Sequence, residues 1–182
     1  MSYKEELISE YGSAKIYRVN DHRKLLLRRN NILWALGSEI KDYKKNIGEN
    51  AKGDCLEIGL GLGVASQHIL SFSEVKSLTT VEIDYDVIQA QKQANFFNDK
   101  RHNIINTDGL SYINETERTF DFIFFDFYKR IDNDNYSEIS KIVQAAQKIL
   151  NHNGIISGWI YKTTPKEFKN IFTEGHNNGA NS

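Results

Sequence analysis

The 182-residue chain carries 23 Lys and Arg against 24 Asp and Glu, a formal net charge of −1 that excludes the basic surface typical of general nucleic-acid binding. Its length suits one domain with a sizeable core, and its single cysteine, Cys55, excludes an intramolecular disulfide. No apolar stretch is long enough to cross a bilayer. We therefore expect a cytoplasmic protein that binds neither nucleic acid nor membrane.

The first 50 residues form an N-terminal segment with two predicted features. Apolar residues at 14–19 and 24–27 favour a β-hairpin, and the pattern at 32–43 favours a helix. We expect this segment to contribute to a substrate pocket or to an oligomer contact.

From residue 54 onward, short apolar runs alternate with longer helical patterns. Strands are predicted at residues 54–57, 77–81, 102–106, 120–125 and 155–160. Helices are predicted at residues 64–72, 85–98, 109–114 and 136–150, with Asn153-Gly154 ending that helix and a last helix starting at Pro165. This alternation predicts an α/β fold, a doubly wound, mainly parallel sheet with helices on both faces. Ligands of such sheets bind at the carboxyl ends of the strands.

A glycine-rich sequence, EIGLGLG at residues 57–63, follows the first of these strands. Glycine permits backbone angles that side chains resist and lets a ligand approach closely, and the N–H groups that start the next helix favour a polar or anionic group. The dinucleotide fingerprint G-x-G-x-x-G needs Gly or Ala at its third position. Counted from Gly59 or Gly61, that position is Val64 or Ser66. The turn therefore predicts a nucleotide-like ligand other than NAD or FAD.

Motifs at four strand ends resemble the class I S-adenosylmethionine (SAM) dependent methyltransferases over residues 51–162. The resemblance implies a Rossmann-like methyltransferase fold in which the glycine turn contacts the methionine part of SAM. It implies that Glu82 accepts hydrogen bonds from the ribose hydroxyls, that Asp108 lies beside the adenine, and that Asp126 points into the active-site cleft. The residues that it implies for SAM binding are Glu57, Gly59, Gly61, Gly63, Glu82, Ile83, Asp108 and Gly109.

The acidic residues at these strand ends also have structural interpretations. Glu82 and Asp84 could cap the helix that follows them, because acids favour helix N-termini; we favour this interpretation for Asp84 and ribose binding for Glu82. Asp108 could cap the short helix after it and still face the adenine. Asp126 ends an apolar run, where an unpaired charge would be costly, and a functional role is favoured.

Two families resemble the chain more closely. The spermidine-synthase family, which transfers aminopropyl from decarboxylated SAM, shares the sequence VEID at residues 81–84 and Asp108-Gly109 ahead of Tyr112. It places an aspartate where the glycine turn has Leu62, and a second aspartate after the fourth strand, where this chain continues DFYKR at residues 126–130. Guanidinoacetate and arginine-type N-methyltransferases share an aspartate and a tyrosine at the positions of Asp126 and Tyr128.

We predict a SAM-dependent methyltransferase that acts on a small-molecule acceptor at nitrogen and releases S-adenosylhomocysteine. Asp126 and Tyr128 are the predicted catalytic residues, and no metal is predicted. The enzymatic alternative is aminopropyl transfer from decarboxylated SAM. The alternative from another class is a non-catalytic SAM- or nucleoside-binding protein that regulates a partner.

The sequence predicts three segments: the N-terminal residues 1–50, a SAM-binding domain at 51–175 and a disordered polar tail at 176–182. The resemblance implies two further strands after the last helix, whereas little sequence follows Pro165, which predicts a sheet shortened at its C-terminal end. Exposed edge strands are usually covered, and we therefore expect a homo-oligomer.

Overall fold

A computed structural model describes residues 4–19, 24–96, 98–161 and 164–172. An antiparallel sheet opens the chain, with strands hydrogen-bonded in sequence order. They are β1 (Glu5–Tyr11), β2 (Ala14–Val19), β3 (Lys24–Arg29) and β4 (Ile32–Leu36). The predicted hairpin of β2 and β3 is confirmed, although the loop at residues 20–23 lies outside the described residues, as does the tail predicted to be disordered.

The helix predicted at residues 32–43 is wrong in its first half. Ile32–Leu36 pairs with β3 as a strand, and helix α1 (Ile40–Ile47) begins only after a 3₁₀ turn at Gly37–Glu39. The cause is the turn at Asn30 and Asn31, whose φ angles are 49° and 63°. Two successive left-handed residues make the turn whose twist matches a β-hairpin, and Asn tolerates that conformation.

A five-stranded, fully parallel sheet forms the centre of the molecule and confirms the predicted fold class. Its strands are β5 (Gly53–Ile58), β6 (Val75–Glu82), β7 (His102–Asn106), β8 (Phe120–Phe125) and β9 (Leu150–Gly158), in the order β7-β6-β5-β8-β9. The connecting helices are α2 (Val64–Leu70), α3 (Tyr85–Ala94), α4 (Gly109–Glu115) and α5 (Tyr136–Ala146). The direction of winding reverses between β5 and β8, where a ligand crevice is expected.

Strand β8 shows how the core is divided between the two faces of the sheet. Alternate side chains of a strand point to opposite faces. Phe122 and Phe124 pack in the cluster formed with α1 and α2, while Ile123 and Phe125 pack in the cluster formed with α4 and α5. All four side chains are fully buried, each contributing about 1.5–3 kcal/mol of hydrophobic stabilisation.

The predicted boundary between the last long helix and the last strand is wrong. Helix α5 ends at Ala146, a 3₁₀ turn follows at Gln147–Ile149, and β9 already starts at Leu150. Asn153-Gly154 therefore lies inside β9 and does not end the helix. Asn153 has a φ of 64°, and the register of β9 against β8 shifts in this region. The pair Asn153-Gly154, which often forms turns, therefore produces an irregularity within the strand here.

The N-terminal sheet packs on helix α3 and does not extend the parallel sheet. Ile16 and Leu27 of the N-terminal sheet meet Val87 and Ile88 of α3 in one buried cluster. Ser9 Oγ also donates a hydrogen bond to the carbonyl oxygen of Ala90 at 2.8 Å. Arg29, at the end of β3, forms an ion pair with Asp84, which follows β6, so the N-terminal sheet lies near the carboxyl end of this parallel strand. Among the described residues, no helix has the length and apolar character that a membrane span requires.

Candidate active site

The glycine turn after β5 is held between its two neighbouring strands. The Gly59 N–H donates to the carbonyl oxygen of Val81 at 2.8 Å, and the Asp126 N–H donates to that of Ile58 at 2.8 Å. Gly59 has a φ of 101°, and a Cβ there would lie 2.4 Å from the carbonyl oxygen of Asp126. Only glycine allows this approach, so the turn brings the ends of β5 and β8 together.

Glu82, at the end of β6, binds the glycine turn from the other side. Its Oε2 accepts a hydrogen bond from the Leu60 N–H at 2.8 Å, and its Oε1 accepts one from the Asp84 N–H at 2.9 Å. A carboxylate offers about four lone-pair sites, so both oxygens retain the capacity to accept from a ligand. Asp84 itself caps α3 through the Asp86 N–H at 2.9 Å, which confirms its predicted capping role, and it forms an ion pair with Arg29.

A cavity of about 370 Å³, the turn cavity, opens above these residues. Its walls include apolar Ile58, Val81 and Leu110. Asp108 lines it while also capping α4, where its Oδ1 accepts from the Ser111 N–H at 2.8 Å, so both roles considered for this residue are compatible. Six of the predicted nucleoside-binding residues line the turn cavity: Gly59, Gly61, Glu82, Ile83, Asp108 and Gly109.

The two remaining predicted ligand residues, Glu57 and Gly63, lie at the two ends of the glycine-rich sequence and do not line the turn cavity. Glu57 is fully buried, and its Oε2 accepts hydrogen bonds from Ser66 Oγ at 2.5 Å and Thr80 Oγ1 at 2.6 Å. Burial raises the pKa of Glu57 to about 7, although these hydrogen bonds oppose the shift. Gly63, with a φ of 68°, starts helix α2. Both residues support the turn from within the fold.

Asp126 lies where the turn cavity meets a second cavity. Tyr43 Oη donates a hydrogen bond to Asp126 Oδ2 at 2.9 Å. Burial raises the pKa of the Asp126 carboxyl well above its usual value, the charge of Glu57 adds to this, and the Tyr43 hydrogen bond opposes it. A carboxylate with a raised pKa is a stronger base, so Asp126 is suited to accept a proton from a reacting group.

The second cavity, the aromatic cavity, has a volume of about 320 Å³. Its aromatic lining residues are Trp34, Tyr43, Phe127, Tyr128, Trp159 and Tyr161. The rings of Tyr43 and Trp159 are 4.5 Å apart between centroids, and the carboxyl groups of Glu39 and Asp126 also line the cavity. Aromatic faces and carboxylates both attract cations, so the lining suits a protonated amine.

Tyr128, the second predicted catalytic residue, lines the aromatic cavity but not the turn cavity. Its hydroxyl oxygen is buried and has no hydrogen-bond partner within the described part of the chain. Such a group is costly unless a ligand satisfies it.

The sequence patterns missed most residues of the aromatic cavity, among them Trp34, Glu39, Tyr43 and Trp159. The first three come from β4, the 3₁₀ turn and α1, whereas Trp159 directly follows β9, far along the chain. The tryptophan in the apolar stretch 32–36 was the signal that could have indicated this cavity. The incorrect prediction of a helix at 32–43 assigned Trp34 to the wrong element. Within the described residues, no group of three His, Cys, Asp or Glu side chains could hold a metal ion.

The parallel sheet with helices on both faces and acidic residues at its strand ends places the chain in the class of Rossmann-like α/β proteins. The family model described as "Spermine/spermidine synthase domain" matches residues 42–178, and the chain belongs to this family. The polyamine aminopropyltransferase of Saccharolobus solfataricus is 31% identical over 136 residues, which cover 65% of this chain and 45% of that protein. The chain therefore spans less than half the length of this relative.

Two solved structures share the fold. The spermidine synthase from Thermotoga maritima superposes with a TM-score of 0.63 at 20% identity, covering 80% of this chain and 52% of that one. A spermidine synthase in complex with the transition state analogue AdoDATO gives a TM-score of 0.62 at 20% identity, covering 80% and 51%.

The family membership corrects the predicted reaction. The prediction of a methyltransferase with SAM as its methyl donor is wrong, because the family model and the relatives are those of spermidine synthases and aminopropyltransferases. The error has two causes. The resemblance assigns the strand-end motifs to the nucleoside, which SAM and decarboxylated SAM share, so these motifs do not distinguish the two donors. The family's aspartate at the position of Leu62 is absent, which favoured methyl transfer, yet the Leu62 side chain is 3% exposed and packs with Ile16 and Leu27, away from both cavities.

Proposed function

We propose that the chain transfers an aminopropyl group from decarboxylated SAM to the nitrogen of a small amine. The observation that carries this proposal is that the two cavities meet at Asp126. Trp34, Gly61, Asp126 and Phe127 line both of them. A reaction between two substrates needs adjoining sites whose reacting atoms meet at one point, and this arrangement supports such a reaction.

The turn cavity suits the donor. In the proposed complex, Glu82 accepts hydrogen bonds from the ribose hydroxyls and Asp108 faces the adenine, while Gly59 and Gly61 allow the sulfur end to approach the backbone. Decarboxylated SAM carries a sulfonium and an ammonium group and no carboxylate. The carboxyl groups of Glu82 and Asp108 along this cavity complement that positive charge.

The aromatic cavity suits the acceptor. Asp126 accepts a proton from the bound ammonium group, which leaves a neutral nitrogen with a free electron pair. This nitrogen attacks the aminopropyl carbon attached to the donor sulfur, so that a C–N bond forms as the C–S bond breaks. The bonding electrons go to sulfur, which leaves as neutral methylthioadenosine, and the attacking nitrogen carries the positive charge of the product. Tyr43 holds the Asp126 carboxyl in place through its 2.9 Å hydrogen bond.

The test is the release of methylthioadenosine from decarboxylated SAM, measured by chromatography and mass spectrometry with a panel of amines. We expect turnover with at least one amine, and Asp126→Asn should lower it by about 10²–10⁴-fold, the usual contribution of a general base. Donor binding, measured by calorimetry, should change little in this variant. Asp134→Asn, an exposed aspartate after the same strand, is the matched control and should retain full activity.

Two outcomes would contradict the proposal. Full activity of Asp126→Asn would remove the assigned base. Tight binding of decarboxylated SAM without turnover of any amine would instead indicate a nucleoside-binding protein without catalytic function.

A further inference from the structure

The aromatic cavity carries positive charge as well as negative charge. Its lining includes Lys129 and Arg130, which follow Asp126 closely in the chain. Arg130 Nε is paired with Asp132 Oδ2 at 3.0 Å. Lys129 forms no ion pair with any residue that the structure describes. Its Nζ donates a hydrogen bond to the carbonyl oxygen of Leu33 at 3.4 Å, so the cavity contains an ammonium group whose charge is not neutralised by a carboxylate.

Two tryptophans hold Lys129 in place. Its Nζ lies 5.0 Å from the centroid of the Trp34 ring, within the range of a cation–π interaction. Its carbonyl oxygen accepts a hydrogen bond from Trp159 Nε1 at 3.2 Å, and Trp159 is 4% exposed. Trp34 and Trp159 belong to different parts of the chain, so this lysine has a defined position at the cavity while its side chain stays exposed.

We propose that the preferred acceptor is an amine that also carries an acidic group, with its nitrogen at Asp126 and its acid at Lys129. This inference rests on the proposed aminopropyl transfer and names its substrate class. A diamine in the same orientation would place its second ammonium near Lys129, where like charges repel. A carboxylate there forms an ion pair with Lys129, whereas a distal ammonium would have to turn away toward Glu39, the other carboxyl group that lines this cavity. The position of Lys129 therefore favours an acidic distal group.

Tyr128, which lies between these two residues in the chain and lines the same cavity, is compatible with the assignment. Its buried hydroxyl has no hydrogen-bond partner in the described part of the chain. Burial raises the pKa of Tyr128, and the charge of Asp126 raises it further, so the hydroxyl keeps its proton at neutral pH. Tyr128 therefore adds no negative charge to the cavity that would repel an acidic group.

The experiment compares acceptors that differ only in the distal group. For each of several chain lengths, the ω-amino acid, the corresponding diamine and the plain alkylamine are supplied with decarboxylated SAM, for example 4-aminobutanoate, 1,4-diaminobutane and butylamine. We expect kcat/KM for the best amino acid to exceed that of its matched diamine by about tenfold or more, a modest charge discrimination. Lys129→Glu should reverse the order. Lys148→Glu, an exposed lysine outside both cavities, should leave it unchanged.

A binding measurement separates failure of this inference from failure of the proposed function. The chain has two tryptophans, and both line the aromatic cavity, so intrinsic fluorescence reports acceptor binding without turnover. Turnover of diamines in preference to amino acids at every length would overturn the acidic-acceptor proposal and leave aminopropyl transfer intact. Absence of turnover with tight, Lys129-dependent binding of an amino acid would overturn the proposed function alone. Absence of amino-acid binding would overturn this inference.

Discussion

Two carboxyl groups at the carboxyl edge of the parallel sheet, Glu57 and Asp126, differ in their surroundings. Glu57 is enclosed and accepts hydrogen bonds from Ser66 and Thr80. Asp126 accepts one from Tyr43 and opens onto both cavities. Burial raises the pKa of both carboxyl groups. Burial therefore acts on both carboxyl groups, but Glu57 has a structural role, whereas Asp126 transfers a proton in our proposal.

At the residue scale, Glu57 predicts a specific pH dependence of stability. Its pKa is raised to about 7 by burial, above that of an exposed glutamate. Between these two pKa values the folded protein binds the Glu57 proton more tightly than the unfolded chain does. The contribution of this proton to the free energy of unfolding is therefore largest at low pH and is lost as the pH rises to 7. Glu57→Gln, which mimics the neutral acid, should become more stable relative to the wild type over this range, by at most about 3 kcal/mol.

The measurement is urea unfolding of both proteins from pH 4.5 to pH 8. His102, whose pKa burial lowers to about 4, makes stability rise over part of the same range, but it is present in both proteins and cancels in the difference. A stability difference that does not change with pH would show that Glu57 is ionised in the folded protein throughout.

At the element scale, strand β4 and the glycine turn shape the two cavities. Strand β4 carries Trp34, which lines both cavities, and its path depends on the left-handed turn at Asn30 and Asn31. The glycine turn likewise depends on the backbone angles of Gly59 and on its close approach to the Asp126 backbone. In both elements a few backbone conformations decide where the two cavities meet.

The glycine turn allows a matched pair of substitutions. Gly59→Ala would bring a Cβ to 2.4 Å from the Asp126 carbonyl oxygen, at a φ of 101°. We expect a loss of about 2 kcal/mol or more from overpacking and backbone strain together. Gly61→Ala has a φ of 49° and its nearest atom is Ala35 Cβ at 3.9 Å, so it should lose about 1 kcal/mol from strain alone. Denaturant unfolding checks both, and equal losses would show that the contact with Asp126 contributes nothing.

At the scale of the whole molecule, the N-terminal sheet and the parallel sheet share a buried cluster around α3. The Ser13 N–H also donates to Asp86 Oδ2 of this helix at 2.8 Å. Since Arg29 and Trp34 of the N-terminal sheet line the turn cavity, that cavity requires both sheets. The homo-oligomer expected from the sequence remains a prediction.

Shared packing predicts that the two sheets unfold together. Leu27→Ala removes a fully buried side chain and should cost about 2–5 kcal/mol. Leu7→Ala, on the same sheet but 48% exposed, should cost about 0.5 kcal/mol or less. Tryptophan fluorescence and circular dichroism should give coincident urea transitions for the wild type and both variants. An earlier fluorescence transition in Leu27→Ala would indicate that the N-terminal sheet unfolds by itself.

The sequence by itself determined the parallel sheet, the glycine turn and the acidic residues at its strand ends, because periodicity and glycine spacing are local properties of the chain. Six residues that line the turn cavity, between Gly59 and Gly109, could be predicted in this way. Only the tertiary structure decided that Glu57 is buried and does not line the turn cavity, that β4 replaces a predicted helix, and that Trp34, Tyr43 and Trp159 meet Lys129 in one cavity. These depend on contacts between distant segments, and no local pattern records which segments will be brought together.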